Sequence, residues 1–270
     1  MTPKQQITKF QIDELTVRIF PDDQALGAAA AGDAAAITRE AIRLRGGARV
    51  VVGTGNSQLR PIESLTQATD ITWSAVEVFH LDEYVGIGAE HPASFRRWVV
   101  QYLVDKVRPG KVHYMAGDAP DLQAEMERYS KLLTEAPIDL SFVGFGENGH
   151  IAFNDPHVAD FSDPLLVKIV RLDEACRRQQ VGEGHFPDIE SVPLDALTLT
   201  CPALMLAETW ICCVPDMRKA RAVKCALEGP VSTACPASLA RVHPKSYLYL
   251  DTSSASLLSS QLADKAIENN

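Results

Sequence analysis

Nowhere in its 270 residues does this chain string together the roughly 18 consecutive apolar residues that a membrane-crossing helix needs. Residues 1–15, MTPKQQITKFQIDEL, also lack the apolar run of a secretory leader. No membrane role is expected, and a cytoplasmic location is. Basic charge is short as well: 26 Lys and Arg against 35 Asp and Glu leave a net charge of −9. That balance argues against nucleic acid as a main partner, because neutralising phosphates takes clustered cations that carboxylates do not offset. Any anionic ligand must be held by a local arrangement of groups. The six cysteines, Cys176, Cys201, Cys212, Cys213, Cys225 and Cys235, contain no C-x-x-C pair and no zinc-like Cys/His spacing. They are expected to be reduced thiols in or near the core, with no metal bound.

What is present is enough apolar material for a large core, 46% of residues against 23% charged. Residues 25–45 are rich in Ala, Ile and Leu at helical spacing and stop at Gly46-Gly47; the β-branched run 48–53 follows as a buried strand. The alternation recurs, with strands predicted at 75–81, 112–115 and 138–144 and helices at 94–107 and 121–135. Further strands are expected at 167–172, 210–214 and 247–250, and helices at 217–228 and 253–268. Strands alternating with helices imply parallel βαβ units. The expectation is therefore a single α/β domain over 1–270, Rossmann-like, with a mostly parallel sheet flanked by helices and a core over about 20–250. Segments 155–164 and 182–193 are candidates for mobile flaps.

In such sheets ligands bind beyond the carboxyl ends of the strands, and three post-strand segments carry unusual chemistry. The first is Gly53-Thr54-Gly55-Asn56-Ser57, with a helix expected to begin near Pro61. Its glycines let backbone N–H groups approach an oxyanion, and its hydroxyls add donors, so it outlines a phosphate cradle. It is neither a nucleotide-binding P-loop nor a full G-x-G-x-x-G. The second is Phe79-His80-Leu81-Asp82-Glu83-Tyr84-Val85-Gly86, where alternation allows only one of Asp82 and Glu83 to face a ligand easily. A helix cap or solvated turn is the ordinary reading of that pair. The third runs from Gly144 to Pro156, G-F-G-E-N-G-H-I-A-F-N-D-P. It presents His150, and Asp155 lies near enough to orient the imidazole and leave one ring nitrogen free for proton transfer.

The three motifs together, G-T-G-N-S, L-D-E-Y-V-G followed by H-P-x-S-F, and G-x-G-E-N-G-H-I-A-F-N-D-P, resemble the glucosamine-6-phosphate deaminase/isomerase family in order and spacing over roughly residues 20–250. The resemblance implies conversion of glucosamine 6-phosphate and water to fructose 6-phosphate and ammonia, without organic cofactor or metal. It makes Asp82 the base that moves a proton between C2 and C1, His150 the group that assists ring opening, and Asp155 its support. It lines the sugar phosphate with Gly53, Thr54, Gly55, Asn56 and Ser57. Lys219, in the run K-A-x-A-V-x-x-A-L-E-G, matches the family's phosphate-binding lysine.

Two positions beside the histidine depart from several members: Asn148 stands in place of Asp and Asp155 in place of Glu. The first cannot hold charge and the second has a shorter reach, which points to a retuned catalytic group of Asp82, His150, Asp155 and Asn148. For the family's phosphate-binding arginine, Arg177 and then Arg178 are the candidates, with a solvated helix face as the plain alternative. The region after Pro156 lacks the Ser and Arg pattern that some hexameric members use for an acetylated activator, so no such activation is expected. Members range from monomers to hexamers, which permits a homo-oligomer without specifying one. A 6-phosphogluconolactonase is the near alternative, although D-E-R and G-H-T-A-S-L-F-P are expected there in place of Asp82-Glu83-Tyr84 and the loop following Gly149. A sugar-phosphate-sensing domain is the other alternative, against which the retained Asp82 and His150 argue.

Overall fold

The computed structural model describes residues 8–260 and 262. A hairpin opens the chain, β1 (Thr8–Ile12) and β2 (Leu15–Phe20), turning at Asp13 in the left-handed region (φ 51°). Helix α1 (Asp23–Arg45) follows, capped by the Asp22 carboxylate on Ala25 N at 2.8 Å and closed by Gly46. The wound part then runs β3 (Ala48–Val52), α2 (Asn56–Thr66), β4 (Val76–His80), β5 (Asp82–Tyr84), α3 (Phe95–Val99), a π-turn at Val100–Val104, α4 (Asp105–Val107) and β6 (Lys111–His113). Next come α5 (Leu122–Thr134), β7 (Leu140–Val143), β8 (Val167–Arg171), α6 (Glu174–Gly182), β9 (Asp195–Leu199) and α7 (Cys201–Leu204). The chain closes with β10 (Trp210–Val214), α8 (Ala220–Glu228) and β11 (Ser246–Asp251). Residues 253–257, expected to open a final helix, form turns, and 261 and 263–268 of that expected helix lie outside the described residues.

Eight strands form one sheet in the order β1-β2-β11-β10-β7-β3-β4-β6, parallel at every pairing except β1 with β2. The expected mixed α/β architecture with a mostly parallel, helix-flanked sheet is therefore the one observed. Alternation along the strands divides the core between two faces. Val50, Val52, Leu140, Phe142, Ile211 and Cys213 pack toward α1, α2 and α3, while Val51, Val143, Trp210, Cys212 and Val214 pack toward α5, α7 and α8. The thiols are free; five are buried and Cys225 is exposed. No described helix is long and apolar enough to cross a membrane.

A second sheet, antiparallel β5-β9-β8, was not anticipated. Asp82 and Glu83 therefore lie not in a post-strand loop but on a short strand of their own, begun one residue after β4 ends. Tyr84 anchors this layer through Phe95, Phe153 and Phe186, with ring centroids 4.9, 5.4 and 5.2 Å away. Strand β3 has its sequence successor β4 on one side and β7 on the other. That reversal opens a crevice between the carboxyl ends of β3 and β7.

Candidate active site

The crevice is a cleft open to solvent. Gly53, Thr54, Gly55 and Ser57 line it from β3, Leu81 and Asp82 from β4–β5, and Gly144, Phe145, Gly146 and His150 from the loop after β7. Gln179, Gln180, Glu183 and Lys219 close it. Three separate strand ends thus deliver the cradle, the carboxylate and the imidazole to one place.

The cradle differs from expectation in one respect. Helix α2 begins at Asn56, not near Pro61, and Pro61 lies inside it. A proline commonly marks a first helical turn, but here Gly55, at φ 92°, makes the sharp entry that a residue with a Cβ rarely adopts. Asn56 and Ser57 consequently occupy the first turn, where backbone N–H groups lack intrahelical partners and the helix dipole favours anions. The Ser57 hydroxyl accepts from Gln58 Nε2 at 3.0 Å, which leaves its own proton free to donate. Asn56 faces the neighbouring cleft, its Nδ2 bonded to the Glu183 carbonyl at 3.1 Å.

Asp82 and Glu83 divide as strand alternation requires. Asp82 lines the cleft at 6% exposure; Glu83 is fully buried. Glu83 accepts from Tyr84 N (2.9 Å), Ser94 Oγ (2.7 Å), Phe95 N (3.2 Å) and Arg96 N (3.0 Å), and pairs with the Arg96 guanidinium at 3.3 Å. It ties β5 to the start of α3, where orphan N–H groups welcome a carboxylate. Asp82 has no such compensation. Burial, and then the neighbouring Glu83 charge, push its carboxyl well above the usual 3.8. Its main chain is fixed by His80, whose Nδ1 lies 2.9 Å from the Asp82 carbonyl and whose Nε2 accepts from Met115 N at 2.8 Å. Those partners define a neutral imidazole protonated at Nδ1, and burial lowers its pKa to about 4.

The ring of His150 packs against Gly146 so closely that a Cβ there would fall 2.2 Å from its Cε1. Only glycine fits. His150 Nδ1 approaches Asp155 Oδ1 at 2.9 Å, a close but poorly aligned contact. The shorter carboxylate therefore still reaches the ring. Burial tends to raise the Asp155 carboxyl, but the imidazole and Asn148 outweigh it and hold the group below its usual range. Asn148 lies behind this pair, outside the cleft wall, and its amide has a distinct role. Its Nδ2 donates to Asp155 Oδ1 at 2.8 Å and to Asp173 Oδ2 at 3.2 Å, while its Oδ1 accepts from His150 N at 3.0 Å. A carboxylate at 148 would face two others; an amide joins them.

The sequence expectation for the arginines fails. Cys176, Gln179 and Gln180 of α6 and Glu183 just past its end share one face by their i, i+3, i+4, i+7 spacing, and the last three reach the cleft. Arg177 lies off that face, and its guanidinium holds the backbone carbonyls of Ile189 and Val192 (3.2 Å to the latter). It fastens the segment following the helix and lines no part of the cleft. Arg178 is exposed and pairs with Glu174. Lys219 is as expected in the cleft wall, 4% exposed. Sequence reading missed Gln179, Gln180 and Glu183, although their helical spacing behind the Asp173 cap was a usable signal.

Among the described residues, two groups have ligand atoms mutually within 4.8 Å, His150/Asp155/Cys176 and Asp155/His157/Asp173. Both depend on Asp155, whose Oδ1 is already committed to Asn148 and the imidazole. Burial also pushes the Cys176 thiol well up, away from the thiolate a metal prefers. The set is better suited to holding a proton on an imidazole than to holding a cation.

A doubly wound α/β protein with a glycine-lined cleft at the strand reversal, bearing a buried carboxyl, a lysine and a carboxylate-backed histidine, defines the class. The profile of the glucosamine-6-phosphate isomerases/6-phosphogluconolactonase family matches residues 21–249, and the chain belongs to that family. It is 35% identical over 239 residues to a glucosamine-6-phosphate deaminase of Streptococcus suis, covering 88% of this chain and 97% of that protein. It is 32% identical over 227 residues to one from Exiguobacterium sibiricum, covering 83% and 87%. The solved structure of a monomeric glucosamine-6-phosphate deaminase superposes with TM-score 0.82 at 27% identity, covering 89% of this chain and all but 1% of that one (99%). A 6-phosphogluconolactonase from Shewanella baltica has TM-score 0.72 at 20% identity, covering 91% and 99%, and shares the fold.

Proposed function

We propose that this protein is a glucosamine-6-phosphate deaminase, acting as one unit over residues 1–270. The observation that carries the reading is Asp82: a carboxyl in the cleft wall, desolvated and short of hydrogen-bond donors while its neighbour Glu83 takes five. Moving a proton between adjacent carbons needs one base able to reach both and with a pKa raised toward the working pH.

In this reading the 6-phosphate rests on the Gly53–Ser57 cradle and Lys219, and its binding energy positions the sugar carbons remote from it. His150, backed by Asp155, takes the proton of the anomeric hydroxyl and returns one to the ring oxygen as the C1–O5 bond breaks. Asp82 then removes the C2 proton, the electron pair forms the C1=C2 bond, and the aldehyde oxygen gains a proton. Asp82 returns its proton to C1 while the nitrogen lone pair closes C2=N. Water adds to that imine carbon, the C–N bond breaks, and ammonia and fructose 6-phosphate leave. Each step balances without redox chemistry.

The test is ammonia release measured by a coupled assay on the 6-phosphates of glucosamine, galactosamine and mannosamine, run beside 6-phosphogluconolactone hydrolysis. Ammonia from the first substrate is expected. Lactone hydrolysis without ammonia from any aminosugar phosphate would refute the reading in favour of the lactonase branch of the family.

A further inference from the structure

The anion-binding end of the cleft already contains a negative charge supplied by the protein. Glu183 Oε1 lies 3.1 Å from Lys219 Nζ and accepts from Gln179 Nε2 at 2.9 Å; the glutamate and lysine side chains are 8% and 5% exposed. Its Oε2 is 3.5 Å from His185 Nε2, and a Cβ on Gly55 would meet it at 3.8 Å. The carboxylate thus stands between the phosphate cradle and the one lysine of the cleft wall. Burial disfavours the Glu183 anion, but His185 and Lys219 outweigh that and hold its carboxyl down at about 2, so it is charged at neutral pH.

A carboxylate and a phosphate dianion brought onto one buried ammonium repel each other across a poorly screened gap, so each weakens the other's hold on it. Ser57, Glu183 and Lys219 are also the wall shared with a second cleft, lined by Asn56, Asp216 and Arg218, so space exists beside the carboxylate. Glu183 sits between Gly182 and Gly184, just past the end of α6. We propose that Glu183 is a built-in competitor for the substrate's phosphate, which must lift it from Lys219 in order to bind. The residue then determines specificity. A small anion cannot displace it at low concentration, whereas a hexose phosphate draws on binding energy from its sugar as well. The inference rests on the reading that this end of the cleft receives the 6-phosphate.

Titration calorimetry of the full chain with inorganic phosphate, comparing the wild type with Glu183→Gln, tests it. Inorganic phosphate is expected to bind Glu183→Gln at least about tenfold more tightly, the gain of one unneutralised buried cation, and Lys219→Met combined with Glu183→Gln is expected to abolish that gain. Glu183→Asp, which keeps the charge on a shorter arm, is expected to fall between and serves should the amide variant not fold. Equal or weaker phosphate binding in folded Glu183→Gln would overturn the assignment, as it would make the carboxylate part of the site and not its occupant. Ammonia release by the wild type separates the two readings: tighter phosphate binding without deamination keeps the role of Glu183 and removes the substrate, and the reverse keeps the substrate alone.

Discussion

Replacing Asp82 by Asn removes the carboxylate while keeping the side chain's size, and its consequences run in opposite directions for turnover and for stability. Turnover loses its only base for the C2 proton, a loss of about 10²–10⁴-fold in kcat, while binding of a non-reacting hexose phosphate persists. Stability rises. In the folded protein the Asp82 carboxyl is held well above 3.8 by burial and by Glu83, so above that folded pKa the ionised group opposes folding by about 1.4 kcal/mol for each pKa unit of the shift. Asp82→Asn is therefore expected to be the more stable protein at pH values above that folded pKa. The sign follows from linkage. A carboxyl with a raised folded pKa favours the folded state below its unfolded value, 3.8, and loses that contribution as pH climbs through the folded value. The stability difference between variant and wild type should therefore be largest at high pH and shrink as the pH is lowered toward 3.8. Urea titrations of both proteins across pH 4–8, paired with ammonia assays, read the two effects, and taking the difference cancels other titrating groups. A variant that is less stable at every pH, or that retains wild-type kcat, would refute the argument that a desolvated Asp82 is the base.

Three further perturbations separate the surrounding groups. Glu83→Gln leaves the Arg96 guanidinium to Asp118, 2.8 Å away, and disrupts an arrangement of five donors; a loss of ~1–3 kcal/mol in urea unfolding is expected. Asn148→Asp places a third carboxylate against Asp155 and Asp173, which should cost about 1–2 kcal/mol near pH 7 and recover on acidification, as protonation relieves the repulsion. Arg178→Ala should leave KM for the aminosugar phosphate within about twofold, since this exposed residue engages Glu174 outside the cleft; a large rise in KM would return it to the phosphate site.

The wound sheet was legible because each buried strand is a short β-branched or apolar run beside a helix of distinct period. Val50-Val51-Val52 and the segment 210–214 are of this kind. The second sheet was not, because β5 is only three residues long and contains two acids whose burial depends on partners distant in sequence, Arg96 and β9. Alternation nevertheless separated Asp82 from Glu83 correctly, since it is a property of any extended backbone. Arg177 misled for a related reason. Its residue type suggested phosphate, while the rotation of α6, set by the Asp173 cap and by the buried Cys176 and Gln180, turned it toward the carbonyls of Ile189 and Val192. Cation identity can be read from a sequence; the direction in which a helix presents it depends on packing. Glu183 was overlooked despite its helical spacing, as an acid is not sought where an anion is expected to bind.

The imidazole of His80 has an implication for how the protein meets acid. It joins the end of β4, the opening of β5 and Met115 through one donor and one acceptor on opposite sides of a rigid ring, a geometry that no other side chain supplies. Because it stays neutral down to about pH 4 when folded but protonates near 6.5 when free, mild acidity draws on this fastening before it reaches the apolar faces of the large sheet. Catalytic competence should thus disappear at a higher pH than the far-ultraviolet dichroism of the strands and helices, because the strand that carries Asp82 comes loose while the layers behind it remain assembled.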